Sequence, residues 1–165
     1  MLIVFSGLPG VGKTVIAKEL ARRIGANYLR IDSIEQALRD SEVQSLDDAG
    51  YRVGHAVAED NLRLGCTVVA DCVNPLTLTR DAWADVAKRA GVAVIEVEII
   101  CSDVREHRRR VETRVSDVPG VRPLTWDEVL SREYHSWERD RIVIDTAGCG
   151  PDQAVSGICA MLKTH

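Results

Sequence analysis

Residues 2–14 have the sequence LIVFSGLPGVGKT, in which a short apolar run passes directly into the pattern G-x-x-x-x-G-K-T from Gly7 to Thr14. A buried strand that turns into a helix in this way directs several backbone N–H groups and the helix N-terminus toward one point, where they bind nucleotide phosphates. The Lys13 ammonium can reach the β- and γ-phosphates, and the Thr14 hydroxyl can bind Mg²⁺. The pattern therefore predicts a site for a nucleoside triphosphate with Mg²⁺, rather than a glycine-rich turn formed by chance.

The residues expected to surround the phosphates lie close together in the chain, and glycine recurs where the backbone must approach the ligand. They are Gly7, Pro9, Gly10, Val11, Gly12, Lys13, Thr14 and Val15. Lys13 is also a predicted catalytic residue, because its charge is directed at the phosphates that react.

Composition limits what can surround this loop. The 165 residues, 45% of them hydrophobic, fit one domain over residues 1–165, and the net charge of -4 argues against nucleic-acid binding. No apolar stretch is long enough to cross a bilayer, so we expect a cytoplasmic protein with no membrane partner. The five cysteines form no C-x-x-C pair and the four histidines are scattered, which predicts reduced thiols and no metal cluster. Nothing in the sequence indicates the oligomeric state.

Five short apolar runs alternate with segments of helical periodicity, which predicts an α/β domain with a doubly wound parallel sheet. The predicted strands are 2–5, 27–31, 67–71, 92–100 and 141–145, and the predicted helices are 13–24, 33–38, 51–64, 78–90, 125–137 and 152–162, with an arginine-dense stretch at 105–114 that can be helical. Leu78, Trp83, Val86 and Ala87 predict the buried face of the helix 78–90, and Thr125 with Glu128 predicts a capping box at the start of the helix 125–137. Ligands of such sheets bind at the carboxyl ends of the strands. One crevice is therefore expected to collect the residues at those ends, which are Gly7, Asp32, Asp71, Cys101 and Asp145.

Two of these acids suggest a reaction. Asp71 ends a Walker B-like strand and is expected to hold Mg²⁺, although a strand-end aspartate can also cap the following turn. Asp32 follows the neighbouring strand, where a carboxylate can accept the proton of an attacking hydroxyl. Asp32 and Ser33 can instead cap the helix that begins there. The two acids can also exchange roles.

Arginine is concentrated between Arg105 and Arg114. On a helix Arg110 and Arg114 lie one turn apart, so that both guanidinium groups can neutralise the charge of a transferred phosphoryl group. The alternative is a solvated helix whose arginines pair with Glu106 and Glu112. An RNA-binding surface is a weaker third interpretation.

The combination of GLPGVGKT, an aspartate after the second strand, VVAD at residues 68–71 and RVETR at residues 110–114 resembles the P-loop small-molecule and nucleotide kinase family with its AAA-type ATP-binding domains. Chloramphenicol phosphotransferase, gluconate kinase, adenylylsulfate kinase and the zeta-toxin kinases are members. The resemblance extends over nearly the whole chain in order and spacing.

The resemblance implies a three-layer fold with strand order 2-3-1-4-5, an acceptor site between the second and third strands, and an arginine-bearing lid at about residues 103–124. It implies that Asp32 is the general base and that Arg110 and Arg114 are the paired lid arginines. It also implies that the adenine ring of ATP passes Thr146 and Ala147. The segment 71–75 followed by Arg80 is similar to the part of adenylylsulfate kinases that lines the acceptor pocket, so Asp32, Asp71, Asn74 and Arg80 are its candidate substrate contacts.

The acceptor can be phosphorylated or otherwise anionic, because arginines occur between or near the two acids and can clamp an anionic group. The candidates are Arg39, Arg52, Arg63 and Arg80, each of which is more often a surface residue.

We therefore expect an ATP-dependent phosphotransferase that moves the γ-phosphoryl group of Mg-ATP to a hydroxyl of a small molecule. A nucleotide or RNA-end kinase with the same machinery is an alternative. A P-loop ATPase that acts as a nucleotide-dependent switch is an alternative of another class.

Overall fold

A parallel five-stranded sheet forms the centre of the computed structural model, which describes residues 1–41, 48–115, 118–120 and 122–162. The strands are β1 (Leu2–Ser6), β2 (Asn27–Arg30), β3 (Val68–Asp71), β4 (Val94–Ile100) and β5 (Ile142–Asp145). Their order is β2-β3-β1-β4-β5, and every neighbouring pair is parallel. The predicted fold class and strand order are confirmed.

Helices cover both faces of the sheet. They are α1 (Lys13–Ile24), α2 (Ile31–Asp40), α3 (Ala49–Arg63), α4 (Thr77–Ala90), α5 (Val104–Thr113), α6 (Trp126–Leu130) and α7 (Pro151–Leu162). α6 opens with the predicted capping box, in which the Thr125 side chain accepts from the Glu128 N–H and the Glu128 side chain accepts from the Thr125 N–H. None of the helices in the described ranges combines the length and apolar character needed to cross a membrane.

Alternate residues of β1 enter two separate cores, which explains why the strand is apolar throughout. Ile3 and Phe5 pack with residues of α1 and α7, whereas Leu2 and Val4 pack with residues of α3 and α4. Because both faces are covered, all of β1 is buried. The buried strand fixes the start of the phosphate loop at the centre of the sheet.

Several predicted boundaries differ by a few residues, and three of the differences change the position of a site residue or the length of an element. β2 ends at Arg30 and α2 begins directly at Ile31, so Asp32 lies in the first turn of a helix. α5 ends at Thr113, which leaves Arg114 in extended backbone just beyond the helix. α6 ends at Leu130 instead of continuing to residue 137. The His135 N–H, which in a continued helix would donate to the Ser131 carbonyl, donates to the Pro75 carbonyl at 2.8 Å.

One residue expected on a buried helix face is exposed. Leu78 of α4 is 75% exposed, whereas Arg80, Trp83 and Ala87 are buried. Leu78 is two residues before Arg80, and a two-residue step turns a helix by about 200°, so the two side chains lie on opposite sides.

Candidate active site

The phosphate loop between β1 and α1 has a conformation that requires glycine. Gly7 has φ 136° and Gly10 has φ 86°. A Cβ atom on Gly7 would lie 2.2 Å from the Ile99 carbonyl oxygen, and one on Gly10 would lie 2.5 Å from a methyl carbon of Val111. The loop therefore packs directly against β4 and α5, which leaves no room for a side chain at either glycine.

α1 begins at Lys13 without a side-chain hydrogen bond at its N-cap, Gly12. The first N–H groups of such a helix favour anionic ligands. Lys13 is buried, and its Nζ donates to the Leu8 carbonyl at 3.1 Å. Burial lowers the pKa of the Lys13 ammonium, while Asp71 and Asp32 act in the opposite direction. Lys13 therefore lies at the bottom of the loop with carboxylates nearby.

A cavity of about 240 Å³ lies at the carboxyl ends of β2 and β3, and we call it the acceptor cavity after the role that the family resemblance predicts for this place. It is bounded by residues of the phosphate loop, α2, the end of β3 and the segment around α6. They are Pro9, Lys13, Thr14, Asp32, Glu35, Arg39, Asp71, Cys72, Val73, Arg114, Arg122, Pro123, Leu124 and Arg132. Five of the residues predicted to act together, Lys13, Thr14, Asp32, Asp71 and Arg114, thus share one cavity.

The two acids of this cavity are joined by a buried arginine. The Asp71 carboxylate is 3% exposed, and its Oδ2 accepts from the Tyr28 hydroxyl at 2.7 Å and lies 3.9 Å from Arg30 Nε. Arg30 Nη2 is 3.5 Å from Oδ2 of Asp32, whose side chain is 45% exposed. Asp32 does not cap α2, because the helix already begins at Ile31. Arg30 therefore stands between a buried carboxylate and an accessible one.

A second cavity, of about 470 Å³, lies over the phosphate loop. It is lined by Gly10, Gly12, Lys13, Thr14, Val15, Arg110, Thr113, Arg114 and Val115. Lys13, Thr14 and Arg114 line both cavities, so the two spaces meet at these side chains. A phosphate chain along the loop would end at the acceptor cavity.

The two predicted lid arginines occupy different positions. Arg110 is the last basic residue within α5, and it donates to Thr146 Oγ1 at 2.8 Å and to the Thr146 carbonyl at 2.9 Å. It also forms an ion pair with Glu106. Arg114 reaches both cavities, whereas Arg110 lines only the one over the phosphate loop. The predicted lid, residues 103–124, is described except at 116, 117 and 121, which lie outside the described residues.

The loop after β5 is attached to the phosphate loop. Thr146 Oγ1 lies 2.8 Å from the Val11 carbonyl and 3.0 Å from the Ile100 carbonyl. Ala147 N–H donates to Asp145 Oδ1 at 3.0 Å, which closes a tight turn. Thr146 thus lies against the phosphate loop, and Ala147 follows it in the turn.

Two candidate substrate contacts lie away from the acceptor cavity. Asn74 is fully buried with φ 48°, and its Nδ2 donates to Ser6 Oγ at 3.0 Å. Arg80 is 1% exposed, donates to four backbone carbonyls, and lies 3.9 Å from the ring centre of Trp137. Neither residue lines the acceptor cavity, and Asn74 Nδ2 and the Arg80 guanidinium bind groups of the protein itself. The contact of each with substrate stays a prediction.

Of the arginines proposed to bind an anionic acceptor, some line the acceptor cavity and others lie elsewhere. Arg39 lines the acceptor cavity, whereas Arg52 and Arg63 are exposed on α3, where Arg63 pairs with Glu59. Arg122 and Arg132, which the sequence did not single out, line the cavity instead. They come from the irregular segments on either side of α6, where no periodic pattern marks them.

Glu35 is a further cavity residue that the sequence reading missed. It lies one turn after Asp32 on α2, a spacing that places both carboxylates on one side of the helix and could have identified it. Burial raises the pKa of the Glu35 carboxyl, and the neighbouring Asp32 raises it further. Gly50 of α3 makes room for it, since a Cβ there would lie 2.4 Å from Glu35 Cγ.

The donor set suits Mg²⁺ held together with a nucleotide. Among the described residues no group of three or more His, Cys, Asp or Glu could hold a metal ion alone. The Thr14 hydroxyl and the Asp71 carboxylate nevertheless line one cavity. Mg²⁺ commonly takes one or two protein oxygens and completes its shell with phosphates and water, so this pair is sufficient.

Comparisons with known proteins agree with this geometry. The family profile described as AAA domain matches residues 2–132. The shikimate kinase of Frankia casuarinae is 31% identical over 165 residues, covering 98% of this chain and 72% of that protein. The cytidylate kinase of Ignicoccus hospitalis is 24% identical over 191 residues, with 98% of each chain covered.

A solved structure shares the fold at lower identity. The APS kinase of Mycobacterium tuberculosis, in complex with AMPPNP and APS, has a TM-score of 0.69 and 17% identity, with 98% of this chain and 96% of that chain covered. The family match covers the phosphate loop, α2, β3 and the arginines of α5. The chain therefore belongs to the AAA-domain family of P-loop nucleotide-binding proteins, in which its curated relatives are kinases.

Proposed function

We propose that the protein transfers the γ-phosphoryl group of Mg-ATP to a hydroxyl group of a small anionic acceptor. The observation that carries this proposal is the junction of the two cavities at Lys13, Thr14 and Arg114. A phosphate-binding loop alone serves switches and motors as well as kinases. Here the end of the phosphate site opens on a cavity that contains carboxylates and arginines.

In the proposed reaction the acceptor oxygen attacks the γ-phosphorus while the bond from that phosphorus to the β,γ-bridging oxygen breaks, and ADP leaves. The hydroxyl proton passes to Asp32, which is favoured over Asp71 as the base because its carboxylate is the accessible one. Lys13 and Arg114 stabilise the charge on the phosphates during transfer.

Thr14 and Asp71 would hold Mg²⁺, which neutralises phosphate charge and orients the γ-phosphoryl group when it is bound. Oδ2 of Asp71 is engaged by the Tyr28 hydroxyl, a contact that fixes the carboxylate in place. Arg110, Thr146 and Ala147 would contact the nucleotide on the other side of the loop.

The charge of the acceptor cavity supports an anionic acceptor. Four arginines line it, of which Arg39 and Arg122 are partly neutralised by Glu35 and Glu128. Arg132 and Arg114 complete the set. A volume of about 240 Å³ suits a metabolite more than a polymer. The relatives named for shikimate and for APS favour the same class, whereas the cytidylate kinase keeps a nucleotide acceptor as the alternative.

The first experiment measures ADP release with ATP, Mg²⁺ and a panel of hydroxylated carboxylates, phosphorylated metabolites, cytidine monophosphate and uncharged polyols. We expect release that depends on an anionic acceptor, with the phosphorylated product detected by mass spectrometry. ATP consumption that no acceptor accelerates would support the switch ATPase instead. Preference for cytidine monophosphate would support the nucleotide kinase.

Asp32→Asn tests the assigned base. We expect kcat with the identified acceptor to fall about 10²- to 10⁴-fold, because removal of a general base costs that much, while ATP affinity stays within about twofold. Asp40→Asn, at the exposed end of the same helix, is the matched control. Retention of full turnover in Asp32→Asn would remove Asp32 from the mechanism.

A further inference from the structure

Arg80 joins two chain segments that are 60 residues apart. Its Nε and Nη2 donate to the carbonyls of Asn74 and Pro75 at 3.2 and 3.1 Å. Its Nη1 donates to the carbonyl of Ser136 at 3.0 Å, and Nη2 also donates to that of His135 at 2.9 Å. One buried guanidinium thus binds four main-chain carbonyls, two from each segment.

Further hydrogen bonds join the same segments. We call the hydrogen bonds between residues 74–80 and residues 135–136 the seam. His135 N–H donates to the Pro75 carbonyl at 2.8 Å, and Thr77 N–H donates to His135 Nδ1 at 3.3 Å. The Arg80 guanidinium also stacks over Trp137, 3.9 Å from the ring centre. The His135 side chain, in contrast to Arg80, is 43% exposed.

Each segment of the seam continues within a few residues into the acceptor cavity. Asp71, Cys72 and Val73 line the cavity and immediately precede Asn74. Arg132 lines it three residues before His135. Arg80 itself does not line the cavity, so any effect on the acceptor has to pass through these two segments.

We propose that Arg80 is a positioning residue for the acceptor, which sets the separation of the Asp71–Val73 segment from Arg132 across the acceptor cavity. The inference rests on the proposed function. A planar guanidinium with five donors can bind four carbonyls at once, whereas a lysine ammonium has three donors on one atom. The arrangement therefore depends on arginine at position 80 rather than on positive charge alone.

Arg80→Lys is the direct test. We expect the acceptor KM to rise at least about tenfold, while ATP affinity stays within about twofold, because the Arg80 guanidinium donates to carbonyls of the seam and not to residues of the phosphate loop. His135→Ala removes only the exposed ring from the seam and carries little risk to folding. We expect it to raise the acceptor KM about threefold. Unchanged acceptor KM in both folded variants would overturn the proposal.

Arg141→Lys is the matched control. The Arg141 guanidinium also lies over Trp137, 5.1 Å from the ring centre, but it pairs with Glu98 of β4 instead of the seam carbonyls. We expect its acceptor KM to remain at the wild-type value. A rise equal to that of Arg80→Lys would show that general loosening of the aromatic cluster is responsible, and would overturn the proposal.

A double-mutant cycle with Arg132→Ala separates positioning from a purely structural role. If Arg80 acts through Arg132, the acceptor KM of the double variant rises by less than the product of the increases in the two single variants. An increase in the double variant equal to that product would show that Arg80 does not act through Arg132.

Amide hydrogen exchange provides a readout that needs no acceptor. We expect faster exchange at residues 72–77 and 132–137 in Arg80→Lys than in Arg141→Lys. Equal exchange rates in the two variants would show that Arg80 does not hold these segments together. A wild-type protein that phosphorylates none of the acceptors would instead overturn the proposed function, so the two failures are distinguishable.

Discussion

At the scale of single residues, Arg30 is the side chain that connects the proposed base to the proposed metal ligand. It is buried at the end of β2, 3.5 Å from Asp32 and 3.9 Å from Asp71. The guanidinium offsets the repulsion between two carboxylates that, in the proposed site, would also face a triphosphate. We therefore expect Arg30→Gln to lower kcat at least about tenfold and to raise the Mg²⁺ concentration needed for half-maximal activity.

Steady-state assays over a Mg²⁺ series measure both effects. Arg22→Gln is the control, because Arg22 pairs with Glu19 on the exposed side of α1. An Arg30→Gln protein with wild-type kcat and Mg²⁺ dependence would show that the two acids need no cation between them.

Sequence patterns predicted the positions of residues that lie at strand ends, and failed for residues whose positions depend on distant contacts. Lys13, Asp32 and Asp71 could be predicted to share a crevice because parallel strands bring their carboxyl ends together. Arg80 was interpreted as a pocket arginine, since a sequence does not distinguish a guanidinium that binds a ligand from one that binds carbonyls 55 residues away. Arg132 could not be found, because it lies in an irregular segment where no local pattern indicates a position at the cavity.

At the scale of elements, the end of α5 separates the roles of its two arginines. Arg114 lies beyond the helix and lines both cavities, so we expect Arg114→Ala to lower kcat about 100-fold with little change in ATP affinity. Arg110 binds Thr146 beside the phosphate loop, so we expect Arg110→Ala to weaken ATP binding more than it lowers kcat. Fluorescence titration with a labelled ATP analogue and single-turnover kinetics separate the two quantities.

Arg109→Ala, an exposed change on the same helix, is the control for this pair. If Arg110→Ala and Arg114→Ala changed kcat and ATP affinity equally, the two arginines would not have separate roles. The original prediction, that they act together as one pair on a helix, would then hold.

The starts of helices were easier to predict than their ends. The capping box at Thr125 and Glu128 is local chemistry between residues three positions apart, and it is present as predicted. Beyond the end of α6 at Leu130, the His135 N–H donates to the Pro75 carbonyl in a distant segment instead of to the Ser131 carbonyl of a continued helix. No periodicity within residues 125–137 contains that information.

At the scale of the whole molecule, the strand order places the phosphate loop at the centre of the sheet. β1 lies between β3 and β4, so the loop after it is flanked by Asp71 on one side and by the end of β4 on the other. Periodicity predicted a parallel sheet, whereas the order 2-3-1-4-5 came from the family resemblance. The sequence of a short apolar strand does not indicate which strands lie next to it. The order puts the acceptor cavity beside β2 and β3 and the nucleotide side near β5.

Both cavities meet at Lys13 and Thr14, so we expect a ligand of either cavity to contact these residues and to stabilise the folded chain. Mg-AMPPNP at about 100 times its Kd stabilises the native state by about 2.7 kcal/mol, which raises Tm by roughly 5–10 °C for a chain of this size. We expect Lys13→Ala to abolish most of that rise in a thermal-shift measurement, and EDTA to reduce it, because Thr14 and Asp71 would hold the ion against the nucleotide. Lys88→Ala, on the exposed last turn of α4, should retain the full rise. A rise in Lys13→Ala as large as in the wild type would mean that the nucleotide binds elsewhere, and the acceptor cavity would then lose its phosphoryl donor.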